Sequence, residues 1–128
     1  MAVPTGPTYS VAALTNARQE FIDLLDTGVS ASKFKLRDLN DVLLGTVTMT
    51  DPAGTIDGSG VLTLTGASAG TGVAVGEAVY GEFTDSNDVV HLQLLTESGT
   101  APVEGKVVIN SLDIAVGSQI TILSAVIG

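Results

Sequence analysis

Cysteine and tryptophan are absent from this 128-residue chain, and basic residues are scarce. Without cysteine there is no disulfide framework, no thiolate zinc site and no cysteine nucleophile. His91 is the single histidine, so no second imidazole is available to share a metal. Five Lys+Arg stand against 14 Asp+Glu, for a net charge of −9. Such a surface repels phosphate backbones and anionic lipid, which argues against nucleic-acid and membrane partners. No stretch is apolar for long enough to predict a membrane-spanning helix. The opening Met-Ala-Val-Pro-Thr-Gly lacks the basic segment and apolar run of a signal peptide. With Tyr9 and Tyr80 as the two tyrosines and no tryptophan, the aromatic platform that sugars favour is also thinly represented.

Val, Ala, Leu, Ile, Thr and Gly carry the apolar content. Mean hydropathy is +0.44 while charged residues make up 15%. A small chain with so few charges predicts surface hidden in an assembly, the alternative being a tightly packed, Thr-coated β-sandwich that stays monomeric. The length predicts one domain with a core that folds without staples.

Residues 1–9 hold Pro4, Gly6 and Pro7 and read as an extended arm. The arm is either a frayed terminus or a strap on a neighbouring subunit. In the second case Val3, Pro4, Pro7 and Tyr9 supply the contacts, and deleting residues 1–8 weakens assembly without unfolding the domain. Residues 10–26 show helical spacing, with Val11, Leu14, Phe21 and Leu25 on one face, Ile22 beside them and Ser10, or Thr15–Asn16 for a later start, as the cap. This helix is expected to plug one end of the β-domain.

Strands and turns fill the rest. Lys33, Lys35 and Arg37 alternate with Phe34 and Leu36 and hold three of the five basic residues. They predict either an edge strand guarded by charge or a basic stripe for an acidic partner. Val42–Thr50 is a strand, and Asp51-Pro52-Ala53-Gly54 a turn. Asp57-Gly58-Ser59-Gly60 is a second turn, Gly66–Gly72 a flexible loop, and Val73–Phe83 a strand broken at Gly76 and Gly81. Asp85-Ser86-Asn87-Asp88 turns into a strand at Val89–Leu95. The chain ends in a hairpin, Lys106–Ile114 and Gln119–Ile127, joined at Ala115–Ser118. Both hairpin strands are apolar on both faces, so the hairpin is expected at the centre of a sheet or against a second chain. Ile122→Asp there is expected to abolish folding. The fold class is mainly β: an antiparallel sandwich or barrel of about seven or eight strands, with one N-terminal helix.

Catalytic patterns are weak. Gly66-Ala67-Ser68-Ala69-Gly70 matches a nucleophile elbow, and Asp85, Asp88 and His91 follow in hydrolase order. An elbow requires a helix directly after the serine, and Thr71–Gly76 is poor helix. Asp85–Asp88 lacks the glycine and distal glutamate of a calcium loop. The pairs Asp38/Asp41 and Glu20/Asp23 have nothing to place them in a cleft. No catalytic, cofactor or metal residue is assigned, and no enzymatic activity is expected.

The segment Ala78-Val79-Tyr80-Gly81-Glu82-Phe83-Thr84-Asp85, followed by a polar turn and Val89–Leu95, resembles small virion structural proteins of tailed bacteriophages. So does the closing Val107-Val108-Ile109-Asn110 with Ala115-Val116-Gly117-Ser118-Gln119-Ile120-Thr121-Ile122. The likeness covers roughly residues 74–128, is weaker in the N-terminal helix and carries no catalytic signature. It implies a β-sandwich that decorates or cements a capsid, made in the host bacterial cytoplasm and resident on the virion. The implied partners are the major capsid protein or other virion proteins, with a homo-oligomer, a trimer, as the assembly. A tail, baseplate or fibre component is the second implication, and a free protein- or glycan-binding β-sandwich the alternative outside virions. The proline arm and helix depart from strongly jelly-roll-like tail proteins.

Overall fold

A computed structural model describes residues 9–128. Val3, Pro4 and Pro7 therefore lie outside the described residues, with most of the arm. Tyr9 is 67% exposed at the start of the described chain.

Helix α1 (Val11–Leu25) begins where Ser10 caps it, Ser10 Oγ accepting from Ala13 N at 3.1 Å. Ile22 and Leu25 are buried in the main core, while Leu14 is half-buried beside Gly60 and Val11 is exposed, so the apolar face enters the core in its last two turns. Arg18 pins the other half, donating to the carbonyls of Gly60 and, at 2.7 Å, Gly128.

The strands in chain order are β1 (Lys33–Arg37), β2 (Leu43–Ile56), β3 (Leu62–Gly66), β4 (Gly70–Gly72), β5 (Gly76–Glu77), β6 (Tyr80–Thr84), β7 (Val90–Ser98), β8 (Val107–Ile109), β9 (Asp113–Ile114), β10 (Gln119–Ile120) and β11 (Ile122–Ile127). Seven close a barrel in the order β1-β6-β7-β8-β11-β3-β2, with β2 returning to β1. Between the two architectures open to the sequence, sandwich and barrel, the chain adopts the closed barrel. All neighbours are antiparallel except β7 and β8, which run parallel. Phe34, Leu36, Leu44, Val47, Phe83, Ile109 and Ile120 fill the interior and are fully buried. Burying each stabilises the fold by about 1.5–3 kcal/mol.

Three sequence expectations are corrected. β1 is no edge: it pairs with β2 through Lys33–Arg37 and with β6 over the same five residues. Phe34 and Leu36 reach the core, and this draws the strand into the wall. Asp51–Gly54 is not a turn between strands but a bulge inside the long β2, with a register shift between Met49 and Gly54. The bulge is tied down because Ala53 N donates to Asp26 Oδ1 at 3.0 Å and Thr50 Oγ1 to Pro52 O at 2.7 Å. Finally, Gly66–Gly72 is not a flexible loop. Its second half is β4, wedged between β2 and β10. A Cβ on Gly70 would lie 2.1 Å from Thr46 O, so glycine there meets a packing requirement.

The terminal hairpin is present but divided. β8 pairs with β11, while β9 leaves the barrel to pair with β5. Asn110 stands at the fork. Its Oδ1 accepts from Thr121 N at 2.9 Å and its Nδ2 donates to Gln119 O at 3.0 Å, replacing ladder bonds where the strands part.

Candidate interaction face

The outer wall of β1, β6 and β7 carries the densest polar network. Strand alternation puts Lys33, Lys35 and Arg37 outward, beside Tyr80 and Glu82 of β6 and His91, Gln93 and Leu95 of β7. Glu82, nearly buried, accepts from Arg37 Nε and from Gln93 Nε2 at 3.1 Å. Arg37 Nη1 also donates to Asp41 O at 3.0 Å. Lys35 Nζ lies 2.9 Å from Asp88 Oδ1 and holds that carboxyl below the usual carboxylate range. Lys35 and Arg37, two of the three cations of the basic stripe, are thus matched by carboxylates of their own chain.

At one end of this wall, Asp85 organises the β6–β7 turn. It accepts from Asn87 N at 2.8 Å, Val89 N at 3.1 Å and His91 Nε2 at 3.0 Å. The hydrogen bond from His91, followed by those from the turn amides, lowers the Asp85 pKa, against the effect of burial. Asp85 and His91 therefore meet, as the hydrolase order suggested. Ser68 does not join them. It lies in the bend after β3, where Ala67 N donates to Thr48 O, and β3 is separated from β7 by β11 and β8 on one side of the barrel and by β2, β1 and β6 on the other. Among the described residues no group of three or more His, Asp or Glu side chains is arranged to hold a metal, and no helix is long and apolar enough to cross a membrane.

At the other end, Tyr80 donates from its hydroxyl to Asp41 Oδ1 at 2.7 Å. That bond pushes the phenol pKa up to about 12. Asp41 sits at φ 65° in the β1–β2 turn, a left-handed conformation that Asp and Asn tolerate better than most residues. Asp41, Tyr80, Gln93, Leu94 and Leu95 line a shallow depression of about 480 Å³.

Beyond it lies an apolar end. The β1–β2 turn, the Val73–Val79 segment and the Ala115–Ser118 turn converge there. Gly117 N donates to Gly72 O at 2.9 Å and Val73 N to Leu44 O at 2.7 Å, and Gly76 abuts Leu44 and Asp38. Leu39 (80% exposed), Val75 (77%) and Val116 (69%) face solvent from these three loops, with Val42 and Val73 beside them. Scattered valines and leucines in turns give no periodic signal, so sequence reasoning missed this cluster. Of the residues it had named for an interface, Tyr9 is exposed, and Lys33, Lys35 and Arg37 lie half-buried on the polar wall, away from the three loops.

No protein-family model matches the chain, and no curated protein or solved structure is significantly similar to it.

Proposed function

We propose that this protein is a structural component of a tailed-phage virion, a capsid decoration protein that binds the head without covalent chemistry. The observation supporting this reading is the apolar barrel end. Exposed Leu39, Val42, Val73, Val75 and Val116 come from three converging loops, and a solvent-facing apolar cluster of this kind marks a docking surface. The likeness of residues 74–128 to small virion proteins directs the choice of partner to the major capsid protein. A homotrimer at the junctions between capsomers is the proposed assembly, with the −9 charge keeping free copies soluble.

The test is co-sedimentation of purified protein with empty capsids and, separately, with tails of the phage that encodes it. Binding to capsids that is lost in the double variant Val75→Asp, Val116→Asp is the expected result. Binding to tails alone would move the protein to the tail. Binding to neither would reject a virion role.

A further inference from the structure

The β7 strand is open along part of its length. Residues Val90–Leu95 pair with β6, while pairing with β8 begins only at Thr96. Backbone groups alternate sides along a strand. Thr96 N points toward β6, where it donates to Val79 O at 3.0 Å. The same alternation turns the N–H and C=O of Gln93 and Leu95 away from β6; the Leu95 C=O faces Val107 N in the parallel ladder to β8, while both Gln93 groups and the Leu95 N–H lie beyond the end of that ladder. Burial agrees with this placement. None of the nine residues of β7 is fully buried, whereas four of the five in β6 are. Even Leu92 and Leu94, which pack against the core, are only partly buried.

Free edges are usually guarded by charge, proline or a bulge. The stretch Val89–Thr96 contains no Lys, Arg, Asp, Glu, Pro or Gly, and its one irregularity, a bulge at His91 between the partners of Thr84 and Phe83, lies short of Gln93–Leu95. The unguarded edge also borders the depression lined by Asp41, Tyr80 and Leu95. The Asp41 carboxylate there has no cationic side chain within ion-pair distance among the described residues, because Arg37 engages Glu82 and the Asp41 carbonyl instead.

We infer that the Gln93–Leu95 edge of β7 takes an added strand: an extended segment of a partner protein that carries a lysine or arginine, whose cationic head seats against Asp41 and Tyr80. Main-chain bonds to Gln93 and Leu95 supply the attachment, and the carboxylate supplies the choice of side chain. A partner is favoured over a second copy by charge, since each copy carries −9 and only five basic residues. The inference rests on the assembly reading only for the source of such a segment.

The probe is a capped hexapeptide of alternating threonine and valine with one central lysine, added to isotope-labelled full-length protein. The expected result is saturable shifts and slowed hydrogen exchange at the Gln93 and Leu95 amides. Methylating the peptide's alternate backbone nitrogens, which leaves its side chains unchanged, should abolish binding. Replacing its lysine by glutamate, or Asp41→Asn in the protein, should weaken binding about tenfold. Asparagine tolerates the left-handed turn at position 41, so that variant folds. Equal binding of the methylated peptide, equal binding by the Asp41→Asn protein, or no binding would each overturn the inference. Protection of the same amides that rises with protein concentration alone would replace the partner by a second copy. Peptide binding without capsid binding would keep the edge and reject the virion reading, and capsid binding without peptide binding would do the reverse.

Discussion

The ring of Phe34 occupies the space that a side chain on Gly81 would need. A Cβ built on Gly81 lies 2.0 Å from Phe34 Cε2. The two residues are diagonal neighbours across β1 and β6, since Gly81 pairs with Leu36 and Phe34 with Phe83, whose ring lies at a centroid distance of 4.9 Å. Neither ring can withdraw without opening the core, since both are fully buried. Gly81→Ala should therefore lower stability by about 1–3 kcal/mol, the usual cost of overpacking. Denaturant unfolding measures it, and an unchanged midpoint would mean that the Phe34 ring has room to move.

Ile120 of β10, rather than Ile122 of β11, is the isoleucine of the terminal segment on which folding depends more. Ile120 is fully buried and packs on Gly45, where a Cβ would come within 2.3 Å of its Cδ1. Ile122 sits at the register shift opposite Ile109 and is only partly buried. Ile120→Asp should abolish soluble folding, because a buried unpaired charge costs several kcal/mol. Ile122→Asp should give a destabilised but soluble protein, judged by circular dichroism and melting. The reverse ranking would place the core seam elsewhere.

Acid should act through the Asp85 turn. The folded-state pKa of Asp85 is lowered, chiefly by the His91 hydrogen bond. The group therefore contributes stability that is fully present above its unfolded pKa of about 3.9 and is lost as pH falls through the folded value. Asp88, lowered by Lys35, acts in the same direction. Asp26 acts oppositely: burial raises its pKa, so its contribution favours the fold at low pH and fades as pH rises through the folded value. His91→Gln should melt below the parent at pH 6, with a gap that narrows as the pH drops below about 4. A gap that stays constant with pH would mean that His91 acts by packing alone.

Arg37 separates an internal role from an interface role. Glu82 is nearly buried and keeps only Gln93 if Arg37 is removed. Arg37→Met should cost about 1–3 kcal/mol, less than for a wholly buried pair because the guanidinium is partly exposed. Urea unfolding decides. Full stability in the variant would leave Arg37 free for a partner.

Much of the fold was readable from residue order because the signals are local. Ser10 and the spacing of Ile22 and Leu25 specified the helix. Asp57–Gly60 and Asp85–Asp88 specified turns in which an aspartate accepts from amides two and four residues on. Alternation in Lys33–Arg37 set which side chains enter the core, and Gly76 and Gly81 were marked as breaks in a strand.

Tertiary structure alone decided what depends on residues distant in sequence. The basic stripe looks like an edge until β2 and β6 flank it, since alternation reports which face is buried and says nothing of how many neighbours a strand has. The glycines of β4 read as slack because the carbonyls that require them, Thr46 for Gly70 and Ala115 for Gly72, lie more than twenty residues away. The fork at Asn110 needs Gln119 and Thr121 in place before its side-chain bonds exist. Barrel closure, the unguarded edge of β7 and the gathering of Leu39, Val75 and Val116 at one end follow from which strands meet. Strand partners are chosen by the summed burial of the whole core, and no local stretch of sequence contains that sum.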